Sequence, residues 1–134
     1  MKTLVNFITG TLLTTIVYFL GGWDVALEAL LIMIALDYGT GILKAIHQKK
    51  LNSEVGAKGI VKKVGYLIVV AVCVMLDRIV GDTGTIRTVV IYFFVANEGI
   101  SLMENWIGMG LPIPKIISET LEQIKKKGGD KDER

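Results

Sequence analysis

Four apolar stretches fill most of the N-terminal 103 residues, and only short polar segments separate them. The stretches cover residues 4–20, 25–46, 64–80 and 86–103. Each is close to the ~17–25 residues that an α-helix needs to cross a hydrocarbon core of about 30 Å. A water-soluble helix would place charged residues along one face every few positions, and these stretches do not. The pattern therefore predicts an all-α membrane protein with four transmembrane helices.

The charges of the connecting segments predict how these helices are oriented. Residues 21–24 and 81–85, which join the first pair and the last pair of helices, contain no Lys or Arg. The segment 47–63 and the C-terminal region are rich in lysine. Because cytoplasmic loops of membrane proteins carry an excess of Lys and Arg, we expect both termini and the basic loop 47–63 to lie in the cytoplasm.

The chain changes character after residue 110. Pro112 and Pro114 cannot both continue a helix, so the fourth transmembrane helix is expected to end before them. Apolar residues then recur at helical spacing: Ile113, Ile117, Leu121 and Ile124. We therefore predict a transmembrane domain over residues 1–110. Residues 111–134 are expected to form a short cytoplasmic amphipathic helix on the inner leaflet and a charged tail.

Composition argues against several classes of function. A chain of 134 residues has room for one folding unit, and its net charge of +2 is too small to indicate a nucleic-acid partner. Cys73 and His47 are its only cysteine and histidine, so we expect neither an intramolecular disulfide nor a metal site. The sequence contains no complete phosphate-binding loop and no recognisable catalytic set. We expect no cofactor and no enzymatic activity.

Small and hydrogen-bonding residues form a strip along the first stretch. Asn6, Gly10 and Thr14 recur at every fourth position. The second stretch offers Gly39 and Gly41, which would let another helix backbone approach closely. Such residues favour helix–helix contact in a bilayer. The strip on the first stretch is open to two interpretations, packing against a helix of the same subunit or self-association.

A carboxylate lies well inside the second stretch, at Asp37. At that depth its charge costs a few kcal/mol unless it is paired, protonated or hydrated. Lys44 lies on the same helix face, two turns further on, and is in reach as a partner. A structural polar contact and a pore-lining carboxylate are both compatible with this position.

The fourth stretch is polar on one face of its second half. Glu98, Ser101 and Asn105 align on that face, and Asn97 and Glu104 flank it. We expect Glu98 to pair with a lysine of the basic loop or to face water in an assembly of several copies. The candidate functional residues within the transmembrane region are Asp37, Lys44, Asn97, Glu98, Ser101 and Glu104.

Charged residues also gather around the short connection between the last two stretches. Asp77 and Arg87 lie on either side of it. An ion pair between them would hold the third and fourth helices as a hairpin. A solvated arrangement without a pair is the alternative, since exposed pairs contribute only about 0–1 kcal/mol.

Three polar segments of this chain resemble those of one protein family. Residues 36–45, LDYGTGILKA, are similar to its D-Y-x-T-G-x-x-K-A signature. Residues 97–105, NEGISLMEN, and 110–115, GLPIPK, are similar to its N-E-x-x-S-x-x-E-N and G-x-P-x-P ending. Residues 53–63 resemble its serine, glycine and lysine loop. This is the toxin-secretion/phage-lysis holin family of Gram-positive phages and prophages, and the likeness covers about residues 30–120 in a consistent order.

The resemblance implies a homo-oligomer of the lipid bilayer. It implies that the chain accumulates in the host cytoplasmic membrane and opens lesions there. Those lesions would release or activate a phage endolysin, a peptidoglycan hydrolase, or in some relatives export a large toxin. Asp37, Glu98 and Glu104 match signature positions of the family, without assigned roles.

Two other functions remain compatible with the sequence. One is a selective ion or solute transporter that uses Asp37 and Glu98 as a relay. It would give saturable flux without cell death, although the inverted repeats typical of transporters are absent from the sequence. The other is a membrane anchor that recruits a cytoplasmic partner through its lysines and changes no permeability.

Overall fold

The computed structural model describes residues 1–129, and within them it contains five helices and no strand. The helices are α1 (Lys2–Phe19), α2 (Val25–His47), α3 (Ser53–Val80), α4 (Thr85–Gly108) and α5 (Lys115–Gly129). The first four are long and apolar enough to cross a membrane, which confirms the predicted all-α membrane architecture. The short C-terminal helix is confirmed as well. The end of the predicted charged tail, residues 130–134, lies outside the described residues.

The fourth helix is the centre of the bundle, because α2, α3 and α5 all pack against it. Its contacts with α2, with α3 and with Leu20, the residue that follows α1, form the apolar core, made of Leu20, Leu27, Leu30, Val70, Ile91, Phe94 and Val95. Tyr66 of α3 stacks on Phe94 of α4, with 4.3 Å between the ring centroids. Lipid tails are as apolar as these side chains, so close packing of this kind, more than the hydrophobic effect, holds the helices together.

The first helix stands apart from this core and contains no buried residue. Asn6, Gly10 and Thr14 are all exposed, and a Cβ added at Gly10 would have nothing within 4 Å. The Thr14 hydroxyl donates to the carbonyl of Gly10 in its own helix, at 2.8 Å. The polar strip therefore packs against no other helix of the described chain, contrary to the intrasubunit interpretation. Its self-association remains a prediction.

The third helix begins earlier than the hydrophobic pattern predicts. The side chain of Asn52 accepts a hydrogen bond from the backbone N–H of Val55 at 2.8 Å and so caps α3 at Ser53. The predicted basic loop 47–63 is thus wrong in its second part, and the connection consists of residues 48–52. Hydropathy locates the part of a helix that suits hydrocarbon, whereas the cap determines where the helix starts.

The fifth helix packs against α4, a contact that the sequence did not predict, and its place on the inner leaflet remains a prediction. Leu121 is buried over Gly99, and a Cβ added at Gly99 would lie 2.6 Å from Leu121 Cδ2. Ile116 and Ile117 remain exposed. Part of the amphipathic face of α5 is therefore occupied by α4, and the contact depends on the missing side chain at Gly99.

Substituting Gly99→Ala is expected to loosen α5. The added methyl group has to displace Leu121, and overpacking of this kind typically costs about 1–3 kcal/mol. Hydrogen exchange of the α5 amides in detergent micelles should become faster, and a second substitution, Leu121→Ala, should restore room. Gly39→Ala is the matched control, because a Cβ there meets nothing within 4 Å. Equal protection of α5 in both glycine variants would contradict the docking contact.

One buried arginine ties the α1–α2 connection to the start of α4. The Arg87 guanidinium donates to the carbonyls of Leu20 at 2.6 Å and Gly22 at 3.0 Å, and it binds Asp24 Oδ2 at 2.6 Å. Gly21 adopts φ +88°, and a Cβ there would lie 2.5 Å from Arg87 Nε. The turn therefore requires glycine for its backbone conformation and for the close approach of the arginine.

The predicted ion pair between the side chains of Asp77 and Arg87 is wrong, although Asp77 does contact the backbone of Arg87. The Asp77 carboxylate accepts hydrogen bonds from the backbone N–H groups of Ile86 at 3.0 Å and Arg87 at 2.9 Å. It therefore satisfies free amides at the start of α4 from the end of α3. The Arg87 side chain pairs with Asp24 instead, a residue too distant along the chain for local spacing to reveal.

Asp24 lies at the N-cap of α2 and gives the fold a pH dependence. The hydrogen bond from Arg87 lowers the pKa of Asp24, although partial desolvation opposes this. Ionised Asp24 thus contributes stability above the unfolded pKa of about 3.9, and that stability is lost as pH falls through the lower folded pKa. The difference in Tm between the wild type and Asp24→Asn should therefore shrink between about pH 6 and pH 3. A difference that does not change with pH would contradict this assignment.

Candidate functional site

Three buried ionisable residues from three helices meet inside the bundle. The ammonium group of Lys63 on α3 donates hydrogen bonds to the carboxylates of Asp37 on α2 and Glu98 on α4. All three side chains are buried, and Glu98 is completely so. With one positive and two negative groups, the cluster has a formal charge of −1. We call these residues the charged cluster.

The charged cluster lies inside the membrane-spanning region, closer to its lysine-rich end. The 13 residues from Asp24 to Asp37 correspond to about 20 Å of helix. The hydrocarbon core is about 30 Å thick, so the cluster lies about 10 Å short of the far boundary. Ionisable groups at such depth are expensive, and pairing three of them reduces that cost.

The two carboxylates of the charged cluster are not equally satisfied. Asn105 Nδ2 donates to Asp37 Oδ1 at 3.0 Å and to Thr40 Oγ1 at 3.2 Å, so both oxygens of Asp37 have a partner. Glu98 Oε1 is buried and has no hydrogen-bond partner among the described residues. An unsatisfied buried oxygen is destabilising by about 1–3 kcal/mol, or more when charged. A single subunit therefore contains an unfavourable group at its centre.

The predicted partner of Asp37 is wrong, whereas the expectation that a lysine pairs with Glu98 agrees with the structure. Lys44 extends over Gly108 of α4, where an added Cβ would lie 2.7 Å from Lys44 Cε. Asp37 pairs instead with Lys63, which also binds Glu98. The choice between the two lysines depends on how α3 packs beside α2, and the sequence of α2 alone does not contain that information.

The remaining candidates have fewer contacts. Ser101 lines a cavity beside the charged cluster, Asn97 is half-buried and Glu104 is exposed. None of their side chains makes a hydrogen bond within residues 1–129. Gly41 approaches α4, since a Cβ there would lie 3.5 Å from the nearest α4 side-chain atom, whereas Gly39 is open. The structure thus brings Asp37 and Glu98 together and leaves the others at the periphery.

Sequence reasoning missed Lys63 and Asn105 as members of the site. Lys63 is the last residue of the predicted basic loop and the last lysine before the apolar stretch of α3. A lysine at that position enters hydrocarbon with its helix and needs a buried anion. Asn105 shares a helix face with Glu98, which was a usable signal. In the described part of the chain, no group of His, Cys, Asp and Glu is arranged to hold a metal ion.

Four apolar helices around a buried charged cluster define a multi-pass membrane protein. The chain matches the sequence profile of the bacteriophage holin family over residues 14–126. It belongs to the bacteriophage holin family, and the resemblance inferred from the sequence is thereby confirmed. Membership together with the four helices assigns the protein to the cytoplasmic membrane.

Several relatives are similar along most of their length. An uncharacterised 14.9 kDa protein in the nagH 3' region of Clostridium perfringens is 43% identical over 95% of this chain and 99% of its own. A protein of Listeria innocua is 37% identical over 87% of this chain and 84% of its own. A probable holin of Bacillus phage phi105 is 32% identical over 81% of this chain and 80% of its own length. No solved structure matches the chain.

Proposed function

We propose that this holin self-associates in the host cytoplasmic membrane and opens lesions that release or activate a peptidoglycan hydrolase, the phage endolysin. Family membership and the phage relative named as a probable holin support the proposal. The observation that carries it is the charged cluster inside the membrane-spanning region, which has a formal charge of −1 and a Glu98 oxygen without a partner among the described residues. In this proposal the chain itself catalyses nothing, and the endolysin performs the hydrolysis.

The charged cluster supplies a physical reason for two states. In a single subunit, two buried carboxylates share one ammonium group inside the membrane-spanning region. If α2, α3 and α4 border water in an assembly, hydration stabilises both carboxylates, and Glu98 Oε1 gains hydrogen bonds. Contacts between transmembrane helices contribute only about 0.6–2 kcal/mol each, so many subunits have to act together. Such assembly depends steeply on the number of subunits per unit area of membrane.

The exposed strip on α1 is the surface through which subunits are proposed to meet. Asn6→Leu combined with Gly10→Leu should lower the fraction of cross-linked oligomers about tenfold, equivalent to about 1.4 kcal/mol per contact. The stability of the subunit should be unchanged, because α1 contains no buried residue. Ile8→Leu with Leu12→Ile, on the opposite face, is the control. Equal cross-linking of both variants would show that the strip is not the contact.

Induced expression in a bacterial host tests the proposed function. Membrane potential and viability are followed with and without a co-expressed cytoplasmic peptidoglycan hydrolase. A lesion-forming holin gives abrupt depolarisation after a delay, and lysis only when the hydrolase is present. Steady, saturable ion flux without cell death would indicate a transporter. An intact potential despite confirmed membrane insertion would indicate an anchor.

A further inference from the structure

A cavity of about 400 Å³ opens between α2, α3 and α4 on the lysine-rich side of the charged cluster. The charged residues that line it are Lys44, Lys50, Lys62, Lys63 and Asp37. Four positive groups and one negative group give its wall a formal charge of +3. A concave site with this excess of positive charge favours an anionic ligand.

The protein itself neutralises only part of this charge. Lys63 is engaged by Asp37 and Glu98, and both oxygens of Asp37 are already bonded. The other three cavity lysines, at positions 44, 50 and 62, have no ion pair within residues 1–129. Lys62 lies over the ring of Tyr66, 5.8 Å from its centroid, a contact that leaves its ammonium group without an anionic partner. Three ammonium groups are thus available to a ligand.

The outer part of the cavity, at Lys44, lies at the depth of lipid headgroups. The 20 residues from Asp24 to Lys44 correspond to about 30 Å of helix, which is the thickness of the hydrocarbon core. Val55 and Gly56, in the first turn of α3, form part of the wall, so the positive end of that helix adds to the lysine charges. Ile42 and Ala45 supply an apolar side to the same cavity. A ligand with both a phosphate and hydrocarbon fits such a wall.

We propose that this cavity binds the headgroup phosphate of an anionic phospholipid from the leaflet at the lysine-rich end. Lys44, Lys50 and Lys62 surround the phosphate, and the apolar side of the cavity contacts the first carbons of the acyl chains. A basic pocket between transmembrane helices at the membrane boundary is a recognised geometry for anionic lipids. The site is separate from the proposed self-association strip on α1, and it would exist whether or not lesions form.

Native mass spectrometry of the purified full-length protein in detergent tests the proposal with phosphatidylglycerol, phosphatidylcholine and inorganic phosphate. We expect one phosphatidylglycerol to be retained per chain, in preference to phosphatidylcholine. Lys44→Gln with Lys62→Gln should lower its affinity at least about tenfold. The matched control is Lys49→Gln with Lys58→Gln, which removes the same charge from lysines outside the cavity lining. Circular dichroism establishes that each variant keeps its helices.

Three results would overturn the proposal. Equal loss of phosphatidylglycerol in both double variants would mean that diffuse charge, not the cavity, attracts the lipid. Equal retention of phosphatidylcholine would rule out selection by the positive charge. Displacement of the lipid by equimolar inorganic phosphate would assign the site to free phosphate. Lys44→Arg with Lys62→Arg should retain binding, and loss of binding in this folded variant would contradict a role for the charges.

Discussion

Replacing Lys63 with methionine is expected to remove most of the folded protein from the membrane. The substitution leaves Asp37 and Glu98 buried side by side with no positive partner. Removing one member of a buried charged group costs about 3–5 kcal/mol, which is a large share of the ~5–15 kcal/mol that stabilises a typical domain. The measurements are the amount of protein accumulating in membranes and the Tm in detergent by circular dichroism.

Two further variants make this result interpretable. Lys62→Met alters an exposed neighbouring lysine whose contact with the Tyr66 ring contributes about 1 kcal/mol at most, so it should change the Tm far less. The triple variant Asp37→Asn, Lys63→Met, Glu98→Gln removes all three charges together and should recover the stability lost by Lys63→Met alone. In cells this triple variant should accumulate normally and depolarise the membrane later than the wild type, because hydration no longer favours the open state. A Lys63→Met protein as stable as Lys62→Met would show that the charged cluster does not hold the helices together.

Replacing Arg87 with methionine is the second large expected effect. The variant loses hydrogen bonds to the carbonyls of Leu20 and Gly22 and to the carboxylate of Asp24. Hydrogen bonds from a charged group contribute about 1.5–3 kcal/mol, and the abandoned carbonyls add to the loss, so we expect a total of about 3 kcal/mol or more. Chemical denaturation in mixed micelles measures the change in the free energy of unfolding.

Arg78→Met is the matched control for that substitution. Arg78 is exposed, makes one hydrogen bond of 3.3 Å to the carbonyl of Tyr18 and lies over the Tyr18 ring, so its removal should cost only about 1 kcal/mol. Equal destabilisation by the two substitutions would contradict the assignment of Arg87 as the tie between the α1–α2 turn and α4.

The number and the approximate positions of the transmembrane helices were predictable from the sequence, because an uninterrupted apolar stretch can satisfy its backbone polar groups only as a helix in lipid. The start of α3 was not predictable from hydropathy. Asn52 caps a polar first section of this helix, and hydropathy assigns that section to a loop. The docking of α5 on α4 was missed for a related reason. An amphipathic face shows that a helix needs an apolar partner, and does not distinguish a lipid surface from Gly99 of its own chain.

The candidate site was predictable in part. Asp37 and Glu98 stand out because a carboxylate in hydrocarbon requires an explanation. Their shared partner Lys63 was not identified, because the pairing depends on how three helices rotate and pack, and each helix gives only its own periodicity. For the same reason, the contact between Asp24 and Arg87 could not be predicted from the sequence. The proposed roles of the α1 strip and of the charged cluster in assembly remain predictions.

Release of markers from reconstituted vesicles tests the central claim most directly. The purified protein is inserted at increasing protein-to-lipid ratios into vesicles that contain both a small ion indicator and a fluorescent dextran of endolysin size. Lesion formation predicts little dextran release at low density and abrupt, near-complete release above a threshold density. Ion flux that rises in proportion to protein while the dextran stays inside at every density would contradict the account.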